Sequence, residues 1–175
     1  YHCFATSEHG NIFDFVMRTQ NLRFGESVKY LANLAGMQPY MFTKQDVERE
    51  KKWKEYSLIF NQYVEFYHDE LIKNESYSNV RDYLKNRLIS KEEVKKFKIG
   101  YIEKNPNFFE KLNQDFSTET LMETGLFYLD EKKNCYVERF RGRLIFPINN
   151  ISGQPIALGG RIIENSDYLA KYINS

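Results

Sequence analysis

Between positions 139 and 161 the chain carries four arginines and no Asp, Glu or Lys, although its formal net charge over 175 residues is only +1. Three of them alternate in Arg139-Phe140-Arg141-Gly142-Arg143. In an extended strand, residues i, i+2 and i+4 project from one face, so the spacing predicts a ladder of three guanidinium groups. Guanidinium is planar, permanently charged and able to grip phosphate through two parallel hydrogen bonds, which suits a polyphosphate or a nucleic-acid backbone. The competing reading is that each arginine pairs with a carboxylate from the charge-rich helices and merely solvates a sheet. Gly142 favours the first, because a glycine within a strand lets a ligand or another backbone come close. Gly159-Gly160-Arg161 sets a permissive backbone beside the fourth cation, compatible with phosphate and equally with a bulge or turn. Lys171, Tyr172 and Asn174 supply an ammonium, an aromatic face and an amide. That set can hold a single strand by phosphate contact, stacking and hydrogen bonding, or can belong to an ordinary surface strand.

Other chemistry is sparse. Cys3 lies among His2 and His9, which suggests a metal, yet zinc takes four N/S ligands and the segment offers no second cysteine; a frayed end is the alternative. Cys3 and Cys135 sit far apart without a C-x-x-C pair, so a reducing, cytoplasmic setting is expected rather than a disulfide framework. His68 has no Cys or His one turn away and reads as structural. No Ser-His-Asp arrangement, phosphate-binding Gly-rich loop with Lys, or H-E-x-x-H helix occurs. Neighbouring carboxylates such as Glu92-Glu93 and Asp69-Glu70 fall in charge-mixed helices, where solvation is the default.

The elements that must position these groups follow from pattern. With 42% hydrophobic and 28% charged residues, the chain is well away from disordered composition, and its apolar runs are too short to span a bilayer. Asn11 can cap a helix bearing Ile12, Phe13, Phe15 and Val16, and Phe24, Val28, Leu31, Ala32 and Ala35 repeat at helical spacing up to Gly36. These predict a small helical hairpin. Thr43-x-x-Asp46 then opens a helix of about 25 residues or more, with Tyr56, Ile59, Phe60, Tyr63 and Tyr67 on one face. Short helices follow, with Ser78 and Ser90 as candidate caps, a capping box at Ser90-x-x-Glu93 and Gly125 as a stop. From 126 onward the period changes. Residues 126–129, 135–140, 144–148 and 156–163 are β-branched and aromatic runs separated by turn-formers, which predict antiparallel strands. The fold class is therefore α+β: a helical N-terminal part followed by a mainly antiparallel sheet. The chain begins at Tyr1 without Met and ends at Ser175 as though inside elements, and a fragment of a longer protein is expected.

Seven segments in order, YHCF, GNIFDFVM, FGESVKYLANLAG, YLKNRLISKEEVKKFKIGY, RFRGRLIFPI, GQPIALGGR and KYINS, together resemble the bacterial DNA primases over most of the chain. The resemblance implies that residues 1–37 are the second half of a zinc-binding domain, a small remnant of a zinc ribbon. It further implies a linker at 38–44, and that 45–175 form the N-terminal, DNA-gripping subdomain of the RNA polymerase domain. The family's zinc ligands are a C-x-x-H upstream and a C-x-x-C matching positions 3 to 6, so Cys3 matches a ligand while Thr6 stands at the last one with a hydroxyl that does not replace thiolate. Two further departures are Leu88, where relatives carry Gly after Arg, and Ala157-Leu158, where Gly-Phe is typical.

Such primases are nucleotidyltransferases that copy single-stranded DNA into short RNA primers from nucleoside triphosphates during replication. Their metal-binding acids, which hold Mg or Mn, belong to a TOPRIM fold following the KYINS-like segment, so the chain alone is expected to be inactive. On matching positions, Arg139, Arg141, Arg143, Arg161, Lys171, Tyr172 and Asn174 are implied to contact template DNA or nucleotide phosphate. The implied partners are single-stranded DNA, nucleoside triphosphates, the RNA primer and, through regions outside this chain, the replicative helicase, with no membrane. Two alternatives stand beside this one: a non-catalytic single-strand-binding module from a degenerate primase, and a protein-interaction domain built on the long aromatic helix.

Overall fold

A computed structural model of the chain describes residues 1–38, 43–164 and 168–175. The expected linker at 38–44 falls largely on residues 39–42, outside the described residues. The chain divides into two compact units, Tyr1–Val47 and Glu48–Ser175.

The first unit opens with a short hairpin. The Tyr1 ammonium donates to the Gly10 carbonyl (2.7 Å), Gly10 N–H returns to Tyr1 (3.0 Å), and Cys3 N–H donates to Glu8 (2.6 Å). Helix α1 (Ile12–Thr19) starts at Asn11, whose Oδ1 accepts from Phe13 and Asp14 N–H. The Asp14 carboxylate accepts from Asn11 N–H in return, the reciprocal pairing of a capping box. Helix α2 (Phe24–Leu34) ends before Gly36, whose φ of +66° is the left-handed stop that glycine provides cheaply.

Helix α3 (Lys44–Lys73) runs 30 residues. Its start is the expected Thr43/Asp46 exchange: Asp46 N–H donates to Thr43 Oγ1 (3.2 Å) and Thr43 N–H to Asp46 Oδ2 (2.9 Å). Ile59, Phe60, Tyr63, Val64, Tyr67, His68 and Leu71 are buried along one face, the i, i+4 spacing of a core-facing stripe. His68 is structural, its Nδ1–H donating to the Ile99 carbonyl (2.8 Å). A 3₁₀ turn at Glu75–Tyr77, capped by Asn74, leads into α4 (Ser78–Asn86). Ser78 is thus the first helical residue rather than a cap, because Asn74 has already nucleated the turn. Ser90 does cap α5 (Lys91–Lys96), with Glu93 N–H on its hydroxyl and the Glu93 carboxylate on Ser90 N–H.

The remaining elements are β1 (Gly100–Ile102), α6 (Phe108–Leu112), α7 (Thr118–Glu123), β2 (Phe127–Asp130), β3 (Cys135–Glu138), β4 (Arg143–Asn149), β5 (Pro155–Ile162) and β6 (Tyr172–Asn174). Strands β2 and β3 form a separate hairpin; the other four make an antiparallel sheet in the order β1-β4-β5-β6. The α+β class is as expected. The strands are divided between two sheets, and β1 comes from the helical zone, where three residues give too short a pattern to stand out.

Register assigns the two faces. Tyr101, Leu144, Arg161 and Tyr172 lie opposite one another in turn, as do Gly100, Ile145, Gly160 and Ile173 on the reverse side. The reverse face packs on α3 through Ile102, Ile145, Leu158 and Ile173. The front face meets Leu71, Val80, Leu84 and Tyr83 through Tyr101, Leu144 and Phe146. Helices therefore cover both faces around β1 and β4, while Tyr172 and Asn174 of the edge strand β6 and the Ile148–Asn149 end of β4 are exposed. Among the described residues no helix is long and apolar enough to cross a membrane.

Candidate nucleic-acid interface

The predicted ladder of Arg139, Arg141 and Arg143 does not form. Strand β3 stops at Glu138 and β4 starts at Arg143, so residues 139–142 are a turn. The turn is closed by bonds from Arg141 N–H to Glu138 O (3.4 Å) and from Gly142 N–H to Glu103 O (3.0 Å). Gly142 adopts φ +71°, a backbone that extended pairing does not allow. Its role is to end the run, not to admit a ligand within a strand. What survives is the alternation: Glu138 and Phe140 point inward, at 1% and 0% exposure, while Arg139 and Arg141 are exposed.

Four of the cations, Arg139, Arg143, Arg161 and Lys171, nevertheless lie about one feature, the β6 edge. Arg139 Nη1 and the carbonyl carbon of Ser175 both lie against the spot a Cβ on Gly125 would occupy, at 3.9 and 4.0 Å. That places Arg139 at the carboxyl end of β6. At the other end, Arg143 Nη1–H donates to the Lys171 carbonyl (3.3 Å). Arg143 belongs to the reverse face with Ile145 and is buried, which pulls its guanidinium below the ordinary value. Arg161 occupies the front face directly opposite Tyr172. Its guanidinium lies over two rings, Tyr172 at 5.5 Å and Tyr83 at 5.7 Å, and Arg87 lies over Tyr83 at 5.4 Å. The Arg161 Nε is buried with no hydrogen-bond partner, so ring faces rather than a carboxylate hold this cation. Arg141 donates to the Tyr128 hydroxyl and covers that ring at 5.5 Å.

Among the described residues none of Arg139, Arg141, Arg143, Arg161 and Lys171 forms a salt bridge with a carboxylate. The ion pairs lie elsewhere, at Lys52–Glu123, Lys98–Glu65 and Lys104–Glu164 for example. Among the described residues the pairing alternative for these arginines finds no carboxylate partner. Tyr172 is 61% exposed, and Asn174 is exposed on the same face across from Gly159, which adds no side chain between Asn174 and Phe146. The result is an open aromatic face and an amide on an edge strand, bracketed by cations that form no ion pair among the described residues. Such a surface can bind a polyanion carrying planar bases. Sequence reasoning missed Tyr83 and Tyr128, which orient the arginines. Tyr83 reads as one more residue on an amphipathic helix, and only tertiary packing reveals its task.

Cys3 lies in the hairpin of the first unit. The Thr6 hydroxyl, then the N–H groups of Thr6 and Ala5, hydrogen-bond its sulfur and hold the thiol below its usual value. Residues 1–48 match the CHC2 zinc finger family, which implies zinc. The residues present do not fit that ion: Cys3 gives one thiolate, Thr6 gives a hydroxyl in place of a second, and no group of three His, Cys, Asp or Glu comes together among the described residues.

Residues 66–175 match the family of the DNA primase catalytic core, N-terminal domain. A DNA primase from Buchnera aphidicola subsp. Baizongia pistaciae is 35% identical over 183 residues, covering all of this chain and 30% of that protein. The chain thus spans about a third of the length of such relatives. The Aquifex aeolicus primase structure, containing zinc-binding and RNA polymerase domains, is 27% identical with a TM-score of 0.59, covering 99% of this chain and 40% of that one. A DnaG primase catalytic domain bound to single-stranded DNA shares the fold at a TM-score of 0.64 and 24% identity, over 71% of this chain and 40% of that one. With more than half of its residues under the family model, the chain belongs to the DNA primase catalytic core, N-terminal domain family.

Proposed function

We propose that this chain is the part of a DNA primase that grips the single-stranded template, and that the β6 edge is where it does so. The observation that carries the reading is Arg161 lying over exposed Tyr172 with no carboxylate partner among the described residues. The single-stranded DNA bound to a relative of the same fold supports it. Arg139 and Arg141 meet phosphates from the turn. Arg161, sandwiched between Tyr83 and Tyr172, presents its remaining N–H groups to a phosphate beside a base stacked on Tyr172. Lys171 and Asn174 add a charge and a base-edge contact. Arg143, buried against the Lys171 carbonyl, serves by fixing β6 and not by touching DNA.

In this reading residues 1–37 are the second half of a zinc-binding domain and 45–175 a subdomain of the polymerase domain. The parent protein is a nucleotidyltransferase joining nucleoside triphosphates into an RNA primer, and it meets the replicative helicase through other regions. In this reading the acids that hold Mg or Mn belong to a part of the parent protein outside residues 1–175, and this segment by itself positions template without making primer. Positioning and charge stabilisation dominate phosphoryl transfer, which is why a cationic template track belongs beside such a centre.

The test is a fluorescence-anisotropy titration of labelled dT₁₆ at several salt concentrations. The reading expects log K to fall with log salt at about −0.7 per phosphate contact, and Arg161→Ala to weaken binding. Affinity that ignores salt, or an Arg161→Ala curve superimposable on the parent's, would contradict it.

A further inference from the structure

The carboxylate of Glu138 sits in the core. It is 1% exposed and accepts three hydrogen bonds, from Tyr63 Oη (2.8 Å), Tyr67 Oη (2.6 Å) and Phe108 N–H (2.9 Å). No cation pairs with it among the described residues. Burying a carboxylate costs more than burying an apolar side chain of similar volume, so packing alone gives no reason for an acid here. Its place in the chain does.

Glu138 is the last residue of β3, immediately before the basic turn. Its side chain ties that point to two successive turns of α3 and to the first N–H of α6, and its carbonyl accepts Arg141 N–H. Two residues on, Phe140 is fully buried against Gly160. These inward anchors flank Arg139 and immediately precede Arg141, and both arginines are exposed.

We propose that Glu138 is a positioning residue for template binding: its carboxylate, held by Tyr63, Tyr67 and the Phe108 amide, fixes the root of the 139–142 turn so that both arginines project outward, Arg139 at the carboxyl end of β6 and Arg141 over Tyr128. The inference rests on the reading that these arginines hold DNA, and deepens it by naming what aims them. Tyr63 and Tyr67 carry the effect from α3, so the longest helix supports the DNA surface without contacting it.

The experiment is a double-mutant cycle on the whole chain, reading dT₁₆ affinity and its salt slope for the parent, Glu138→Gln, Arg141→Ala and the double variant, each shown to be folded by thermal melting. Glu138→Gln is expected to weaken binding about 3- to 10-fold and to flatten the slope by about 0.7 for each phosphate the variant no longer grips. The double variant is expected to bind no more weakly than the weaker single. Multiplying effects, or a folded Glu138→Gln with parental affinity and slope, would overturn the proposal. If Glu138→Gln does not fold, Tyr67→Phe, which removes one donor and keeps the acid, is read in the same cycle by the same criteria. Should Arg141→Ala itself bind like the parent while Glu138→Gln does not, the template reading of the turn fails and this inference falls with it.

Discussion

Gly160 of β5 lies directly against the ring of Phe140: a Cβ on Gly160 would come within 2.5 Å of Phe140 Cδ1 and 3.3 Å of Arg143 Cδ. The ring that aims the basic turn is therefore seated on a site only hydrogen can share. Gly160→Ala is expected to destabilise the chain by about 1–3 kcal/mol, the usual cost of overpacking a filled core, and to weaken single-strand binding as Phe140 shifts the turn. Urea unfolding and dT₁₆ titration check the two effects. A parental unfolding midpoint would show that Phe140 moves freely.

Arg87 and Leu88 end α4 in a Schellman arrangement, with Leu88 N–H on Lys85 O (2.9 Å) and Ile89 N–H on Leu84 O (3.1 Å). Leu88 holds φ +61° and is 92% exposed, so it bears the left-handed strain without compensating burial. Leu88→Gly is expected to stabilise the chain by about 0.5–1 kcal/mol, strain relief exceeding the entropy that glycine adds to the unfolded state. A lower melting temperature for Leu88→Gly would contradict this origin of the cap's strain.

Glu138 gives stability a pH dependence of definite sign. Burial raises its carboxyl above the ordinary value of 4.5, Glu103 adding to the rise, while bonds from Tyr67, Tyr63 and the Phe108 amide pull the other way without cancelling it. The folded state therefore holds this proton more tightly than the unfolded one. The contribution is fully present below the unfolded value and is lost as pH rises through the folded one. Other carboxyls titrate in the opposite sense, Glu93 and Glu123 being lowered, so the comparison must be with Glu138→Gln. The stability of the parent minus that of the variant is expected to shrink as pH climbs from 4.5 and then to level off. A difference that grows over that interval would contradict the assignment.

Much of the helical architecture is legible in local signals because caps are local: Asn11 with Asp14, Thr43 with Asp46 and Ser90 with Glu93 each complete their bonds within a single helical turn. The charge concentration at 139–161 is equally legible, since counting requires no geometry. The course of the basic segment is not. Alternation of Arg and Phe fits an extended strand, and the turn results from Phe140 meeting Gly160 and from Glu138 meeting α3, partners far away in sequence. Arg143 shows the same limit. Counted from Arg139 it shares a face with its neighbours, but the turn and the β4 register carry it to the buried side with Ile145.

Photo-crosslinking with 5-iododeoxyuridine oligonucleotides, followed by peptide mapping, tests the placement of the strand most directly. Adducts are predicted on Tyr172, and their loss in Arg139→Ala/Arg141→Ala/Arg161→Ala at constant oligonucleotide concentration. Adducts confined to Trp53 on the exposed side of α3, with Tyr172 unmodified, would show that nucleic acid lies elsewhere and would contradict the β6-edge assignment.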